Sequence, residues 1–103
     1  MPVLIYGQNL DSLISASQDL ETDDALVLLL QSSHEVEQAS SEVQAKYHTA
    51  LSAHYLDQGV IDEAIKNALA AIEFAKGENN SLNIRCLNTA GEAYRTYQDL
   101  LYH

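Results

Sequence analysis

The sequence predicts an all-α domain of five helices, arranged as two and a half antiparallel hairpins, and three observations support this prediction. Residues 55–65 have the composition of a helix end, a glycine turn and a new helix start. Small and aromatic residues return at an interval of 39 positions, which is typical of stacked helical units. The only proline stands at position 2, so every later segment is free to be helical.

The turn at Gly59 defines the central hairpin. Glycine suits the left-handed conformation that often follows the last residue of a helix. Asp62 and Glu63 then place negative charge in the first turn of the next helix, where the helix dipole favours it. Small residues on one face of each helix let the two helices approach closely; they are Ser52, Ala64, Ala68 and Ala71.

The 39-residue interval joins four pairs of positions. A unit that cannot bury its apolar face alone must stack on a neighbour, so such an interval predicts a row of packed hairpins. The pairs are Ala25/Ala64, Ser32/Ala71, Ser52/Gly91 and Tyr55/Tyr94.

In these residues the chain resembles a tetratricopeptide repeat. The first helix of that repeat has a small residue and, three positions later, an aromatic residue. The second helix has two small residues seven positions apart. The matching residues are Ser52/Tyr55 with Ala64/Ala71, and Gly91/Tyr94 in the next copy. The resemblance covers about residues 9 to 101 and implies a short right-handed α-solenoid.

Three features depart from the family pattern. Ala68 stands where an aromatic residue is usual, Lys76 stands where the turn proline is usual, and the interval exceeds the family's roughly 34 residues. Longer intervals are similar to those of bacterial signalling regulators, where a long second helix precedes a glycine-containing turn, as in residues 75–80. The resemblance therefore implies a sensory or interaction module N-terminal to an output domain, for instance a GGDEF-type diguanylate cyclase. No GGDEF motif is present in these residues.

The first two helices are predicted over residues 9–19 and from 22 to about 38. Asn9 is the expected N-cap of the first, and Thr22 with the two following aspartates starts the second. The run Ala25–Leu30 is apolar all round, which predicts a helix that is covered on both sides.

The remaining helices follow from capping and periodicity. Ser41–Gln44 has the form of a capping box and opens a helix that is expected to end at Asp57. The next helices are predicted over residues 61–76 and from Asn80 or Ser81 onward. A further helix is expected to begin near Leu100, so we expect residues 1–103 to be one domain at the front of a longer protein.

Composition excludes several partners. The formal net charge of −10 argues against a surface that binds nucleic-acid phosphates or anionic membranes. Cys86 is the single cysteine, so no internal disulfide forms, and a reducing, cytoplasmic setting is expected. The apolar stretch at residues 1–6 is too short for a membrane span, and it lacks the basic residues that open a signal peptide.

No catalytic or metal-binding pattern stands out, and we expect no enzyme, no metal and no cofactor in this chain. His48 and His54 are six positions apart and fall on different helix faces, and His34 with Glu37 has no companion pair. His103 stands alone at the end of the sequence. The acidic pairs at 23–24 and 62–63 lie at predicted helix starts, where the dipole accounts for them.

The family resemblance implies a binding groove lined by the first helix of each hairpin. Carried onto this chain, it assigns the groove to Lys46, Thr49, Ala53, Leu56, Arg85, Asn88, Glu92 and Arg95. Three of the five basic residues fall on this surface, which favours a protein or peptide partner with an acidic or C-terminal carboxylate group. The alternative is a solvated face that offsets the surrounding acids. Glu92 replaces an asparagine of the family's carboxylate clamp, which argues against a chaperone-tail ligand.

A second surface is predicted at the C-terminal end, where apolar side chains cluster at Tyr97, Leu100, Leu101 and Tyr102. Repeat arrays close with a polar cap, so this end is expected to be covered, for example by a second copy in a homodimer. Three functions therefore stay open from the sequence: a protein-docking or sensory module, a self-association module, and a small-molecule or metal-binding helical bundle.

Overall fold

The computed structural model describes residues 8–78 and 80–102, and these residues form helices and turns without a strand. The predicted all-α class is confirmed. Six helices are present in these residues, one more than predicted: α1 Gln8–Ser17, α2 Thr22–Gln31, α3 Ser33–Val36, α4 Ser41–Gln58, α5 Ile61–Ala75 and α6 Asn80–Tyr102. None of the helices in this part of the chain is long and apolar enough to cross a membrane.

The extra helix comes from a break after Gln31, so the prediction of one helix from 22 to about 38 is wrong. The Ser32 hydroxyl donates to the Leu28 carbonyl, and its backbone N–H donates to the Leu29 carbonyl. Serine competes with regular helix bonds in this way, which weakens a helix interior. The short α3 then turns Val36 into the core.

Two predicted helix starts are displaced. Asn9 is not an N-cap, because α1 already begins at Gln8. The cap of α4 is Ser40, not Ser41: the extended Ser40 accepts the Val43 N–H at 3.2 Å. The Gln44 amide donates to the Ala39 carbonyl instead of completing a capping box, so that prediction was one residue late.

The central turn is confirmed. Gly59 has φ 82° and its N–H donates to the Leu56 carbonyl, while Val60 N–H donates to the Tyr55 carbonyl. These two bonds satisfy carbonyl groups at the end of α4, as in a Schellman motif. The small residues of α5 are buried as predicted, with Ala64 and Ala71 fully covered.

Contacts between side chains show how the helices are ordered. The pairs Asp11–Lys46 and Ser17–His54 show that α1 and α4 run in the same direction. The pairs Ser52–Ala64 and His48–Asn67 show that α5 runs back along α4. Helices α1, α4 and α6 lie side by side, α2 packs against α1 and α4, and α5 packs against α4 and α6.

Each hairpin junction has its own core. One cluster joins α1, α2, α3 and α4, and includes Leu10, Leu29 and Tyr47. The other joins α4, α5 and α6, and includes Ala45, Ala75 and Cys86. Small residues dominate the second cluster, because α4, α5 and α6 approach closely there.

Helix α2 is covered on one side only, so the predicted double coverage is wrong. Ala25 and Leu29 are fully buried, whereas Val27 is 55% exposed and Leu30 is 45% exposed. Helices α1 and α4 both contact α2, and its buried residues Ala25, Leu26 and Leu29 fall on one side of it.

Helix α6 continues to Tyr102, so the expectation of a new helix near Leu100 is wrong. Its last buried residue is Ala93, and the two turns that follow extend past the rest of the packed helices. The final residue, His103, lies outside the described residues.

Candidate functional site: a cleft between three parallel helices

A cleft of about 280 Å³ lies between α1, α4 and α6. Helix α4 forms its floor, because α1 and α6 flank α4 on its two sides. The lining residues are Asp11, Ile14, Ser15 and Gln18 of α1, then Lys46, Thr49, Ala50, Ala53, His54 and Asp57 of α4, and Arg85 of α6. The cleft therefore runs along about 16 Å of α4, given a rise of about 1.5 Å per residue.

The cleft brings together half of the residues that the sequence assigned to a groove. Lys46, Thr49, Ala53 and Arg85 line it. The other four lie elsewhere: Leu56 is half-buried outside the cleft lining, and Asn88, Glu92 and Arg95 are exposed farther along α6.

The two cations of the cleft differ in their partners. Lys46 Nζ lies 3.6 Å from Asp11 and 3.3 Å from Glu42, so its charge is offset by two partly exposed carboxylates. Arg85 is exposed, and in the described part of the chain no carboxylate pairs with its guanidinium. A guanidinium offers several N–H donors in a fixed plane that matches a carboxylate. Arg85 is therefore the cation that is available to a ligand.

Thr49 holds helices together and has no hydroxyl proton to offer. Its Oγ1 donates to the Ala45 carbonyl at 2.8 Å and lies 3.4 Å from the sulfur of the buried Cys86. The contact joins α4 to α6 beneath the cleft. Thr49 therefore lines the predicted site but offers no hydrogen-bond donor to a ligand.

His54 is a cleft residue that the sequence analysis missed. It is 9% exposed, and its Nε2 lies 3.5 Å from the Ser17 Oγ. The Ser17 proton is already donated to the Ile14 carbonyl at 2.7 Å, so Ser17 is the acceptor and Nε2 carries the proton. The sequence spacing could have indicated this position, because Ala50, His54 and Asp57 lie on one face of α4 and all three line the cleft.

The Nδ1 atom of His54 is buried without a hydrogen-bond partner among the described residues. Burial lowers the pKa of this imidazole, and the nearby Asp57 carboxylate opposes that shift only in part. The ring is therefore neutral near pH 7, and its Nδ1 lone pair is an unused acceptor beside the cleft.

His48 and His34 do not line the cleft. His48 shares a hydrogen bond of 2.8 Å between its Nδ1 and Asn67 Oδ1, and its ring stacks on Phe74 with 5.6 Å between ring centres. His34 and Glu37 are both exposed. Across residues 8–78 and 80–102, no group of three histidine, cysteine or acidic side chains could hold a metal ion.

The predicted self-association residues lie together on the last turns of α6. Tyr97 is 41% exposed, Leu100 64%, Leu101 59% and Tyr102 81%. All four contribute apolar surface to the projecting end of the helix, whereas the cleft lies beside the first turns of α6.

Comparison of the chain with protein-family models, curated proteins and solved structures finds no match.

Proposed function

We propose that this chain is a protein-interaction module, built like a tetratricopeptide repeat, that receives an acidic group of a peptide in the cleft between α1, α4 and α6. The observation that carries the proposal is that Arg85 lies exposed at the edge of that cleft and that no carboxylate of residues 8–78 and 80–102 pairs with its guanidinium. A carboxylate ligand would form charge-assisted hydrogen bonds with it.

The helix order supports this proposal. In the family that the chain resembles, the first helices of successive hairpins lie side by side and line the binding surface. Helices α1, α4 and α6 lie side by side in this chain, and α2 and α5 pack behind them. We take the side of the cleft as the counterpart of the surface where that family binds its ligands. The attachment of the module to a bacterial signalling protein, with a GGDEF-type output domain, stays a prediction.

Charge within the cleft orients the ligand. Lys46 and Arg85 mark one end, and Asp57 lies about 16 Å away along α4, by the helix rise of about 1.5 Å per residue. An acidic group is therefore expected near Arg85. An N–H donor of the same ligand is expected at the other end, near the Asp57 carboxylate.

The volume of the cleft defines the size of what enters it. About 280 Å³ is at the small end of ligand sites in proteins and accommodates one or two peptide residues. Because the same volume suits a compact molecule with an acidic and an amino group, small-molecule binding is the second candidate function.

A peptide-display selection tests the proposal. Random peptides with free C-termini are selected on the immobilised chain, and the enriched sequences are synthesised with a free and with an amidated C-terminus. We expect enriched peptides to carry a C-terminal carboxylate or a nearby acid, and we expect Arg85→Glu to remove their binding. Lys66→Glu is the matched control, because Lys66 is exposed on α5 and does not line the cleft.

Two outcomes would reject the peptide proposal. One is enrichment of peptides that bind Arg85→Glu as tightly as the unchanged chain. The other is the absence of any enriched peptide, together with thermal stabilisation by an amino acid that Arg85→Glu removes, which would favour the small-molecule candidate.

A further inference from the structure

A row of exposed residues follows one face of α6 over most of its length. Its apolar members are between 45% and 59% exposed. The spacing alternates between three and four residues, as on the contact face of two long paired helices. This row, the α6 stripe, consists of Ile84, Leu87, Gly91, Tyr94, Gln98 and Leu101.

The stripe is separate from the face that packs inside the molecule. Helices α4 and α5 contact another side of α6, where the buried residues are Leu82, Cys86, Ala90 and Ala93. Within the described residues nothing buries the stripe, so a largely apolar helix face about two and a half heptads long is left in water.

We propose that the stripe binds the same stripe of a second copy of this chain, with the two α6 helices antiparallel. The pattern is complementary to itself in that direction. When the midpoint is placed between Glu92 and Ala93, Ile84 lies opposite Leu101 and Leu87 lies opposite Gln98. Each match occurs twice, as a two-fold axis requires.

Shape at the centre of the stripe favours this direction over a parallel pair. Antiparallel pairing sets Tyr94 of each copy over Gly91 of the other. A Cβ atom added at Gly91 would meet nothing within 4 Å, so space for the ring is open. Parallel pairing would instead set Gly91 against Gly91 and Tyr94 against Tyr94. The two glycines would leave a gap between the helices, and the two tyrosine rings would clash one turn away.

Charge also selects this face for pairing two identical chains. Helix α6 carries two arginines and two acids, Arg85, Arg95, Glu92 and Asp99, so its formal charge is zero. The whole net charge of −10 therefore lies outside α6, and other faces repel their own copies. In the antiparallel register, Arg95 of one copy is next to Asn88 and Glu92 of the other.

The pairing accounts for the projecting end of α6 as well. Residues 94–102 of each helix lie alongside residues 83–91 of the other in this register, so Leu101 gains Ile84 of the other copy as an apolar neighbour. Leu101, one member of the self-association surface predicted at the C-terminal end, is then part of a longer contact, whereas Leu100 lies on another face of α6.

Analytical ultracentrifugation of the 103-residue chain over a wide concentration range tests the pairing. We expect a reversible dimer of twice the 11.4 kDa chain mass. Leu87→Glu, at an exposed stripe position, is expected to yield a monomer with unchanged helical circular dichroism. Val27→Glu is the control, because Val27 is equally exposed on α2 but outside the stripe, and this variant is expected to stay dimeric.

Oxidative cross-linking tests the direction. Chains with Ile84→Cys are mixed with chains that carry Leu101→Cys, and the buried Cys86 is left in place. We expect disulfides that join the two kinds of chain. Disulfides that join Leu101→Cys chains to each other would overturn the antiparallel register. A monomer at every concentration, or a dimer that Leu87→Glu leaves intact, would overturn the pairing itself.

Failure of this proposal is distinguishable from failure of the peptide site. The pairing uses neither Arg85 nor any other cleft residue. Peptides selected on the unchanged chain are therefore expected to bind the monomeric Leu87→Glu variant with the same affinity.

Discussion

The Ser52 hydroxyl lies 2.7 Å from the carbonyl oxygen of Ala64, and both residues are fully buried between α4 and α5. A hydroxyl is small enough to allow this approach and polar enough to donate across it. The bond therefore fixes α5 against the helix that forms the floor of the cleft.

Removal of this bond is expected to destabilise the fold modestly. Ser52→Ala should lower the free energy of unfolding by about 0.5–1.5 kcal/mol, the net contribution of one buried hydrogen bond. Urea denaturation followed by circular dichroism measures the change. Ser12→Ala, at an exposed position of α1, is the control and should change it little. Equal effects of the two substitutions would show that the Ser52 bond contributes nothing specific.

The turn at Gly59 predicts an order among substitutions at one position. Gly59 has φ 82°, and a Cβ atom added there would meet nothing within 4 Å. A side chain at this position therefore destabilises the fold through the strained backbone conformation and not through a clash with neighbouring atoms. Gly59→Ala should cost about 1 kcal/mol, and Gly59→Asn should cost less, since asparagine tolerates this conformation better. Thermal unfolding of both variants checks the order, and a Gly59→Ala protein as stable as the unchanged chain would contradict it.

Tyr47 links α4 to the end of α2 through its hydroxyl. The phenol donates to the Leu29 carbonyl at 2.7 Å, and burial, with a smaller effect of Tyr55, raises its pKa to about 12. Tyr47→Phe should therefore cost about 1 kcal/mol, as for other buried hydrogen bonds. Tyr102→Phe, at an 81% exposed side chain, should cost nothing measurable by the same denaturation experiment. A Tyr47→Phe protein that unfolds at the unchanged urea concentration would contradict the assignment.

His54 predicts a pH dependence of stability with a defined sign. Burial lowers its folded pKa below 6.5, so the unfolded chain takes up the proton first as the pH falls. Its contribution to stability is thus complete above pH 6.5 and is lost as the pH falls through the folded pKa. The measurement is the difference in unfolding free energy between the unchanged chain and His54→Gln, above and below that pH. The difference should shift in favour of the variant at the lower pH, and a difference that does not change with pH would contradict the prediction.

Local residue chemistry predicted the central hairpin well. The left-handed glycine and the small residues of α4 and α5 act within one turn of the chain, so their spacing alone indicates the close approach of the helices. The break at Ser32 was missed because the composition of residues 22–38 favours a helix throughout, and one serine bond together with the burial of Val36 decides otherwise. The sequence also could not predict which faces of α2 are buried, because this depends on which helices pack against it.

The candidate site was predicted in part for similar reasons. Lys46 and Arg85 were assigned to one groove by their 39-residue separation, and they do line one cleft, from the neighbouring helices α4 and α6. Glu92 and Arg95 follow the same interval but lie about two and three turns beyond Arg85 on α6, outside the cleft lining. His54 was missed because its importance comes from Ser17 on another helix, whose proton is already committed to Ile14.

The central claim is that the Arg85 guanidinium receives the acidic group of a bound peptide in the cleft. Its most direct test is a nuclear magnetic resonance titration of the isotope-labelled chain with a selected peptide, following the Arg85 side-chain Nε–H signal. We expect that signal to shift together with the backbone signals of Ala53 and His54, and we expect amidation of the peptide acid to abolish the shift. An unchanged Arg85 signal, with shifts confined to the exposed face of α2 around Val27 and Leu30, would contradict the claim.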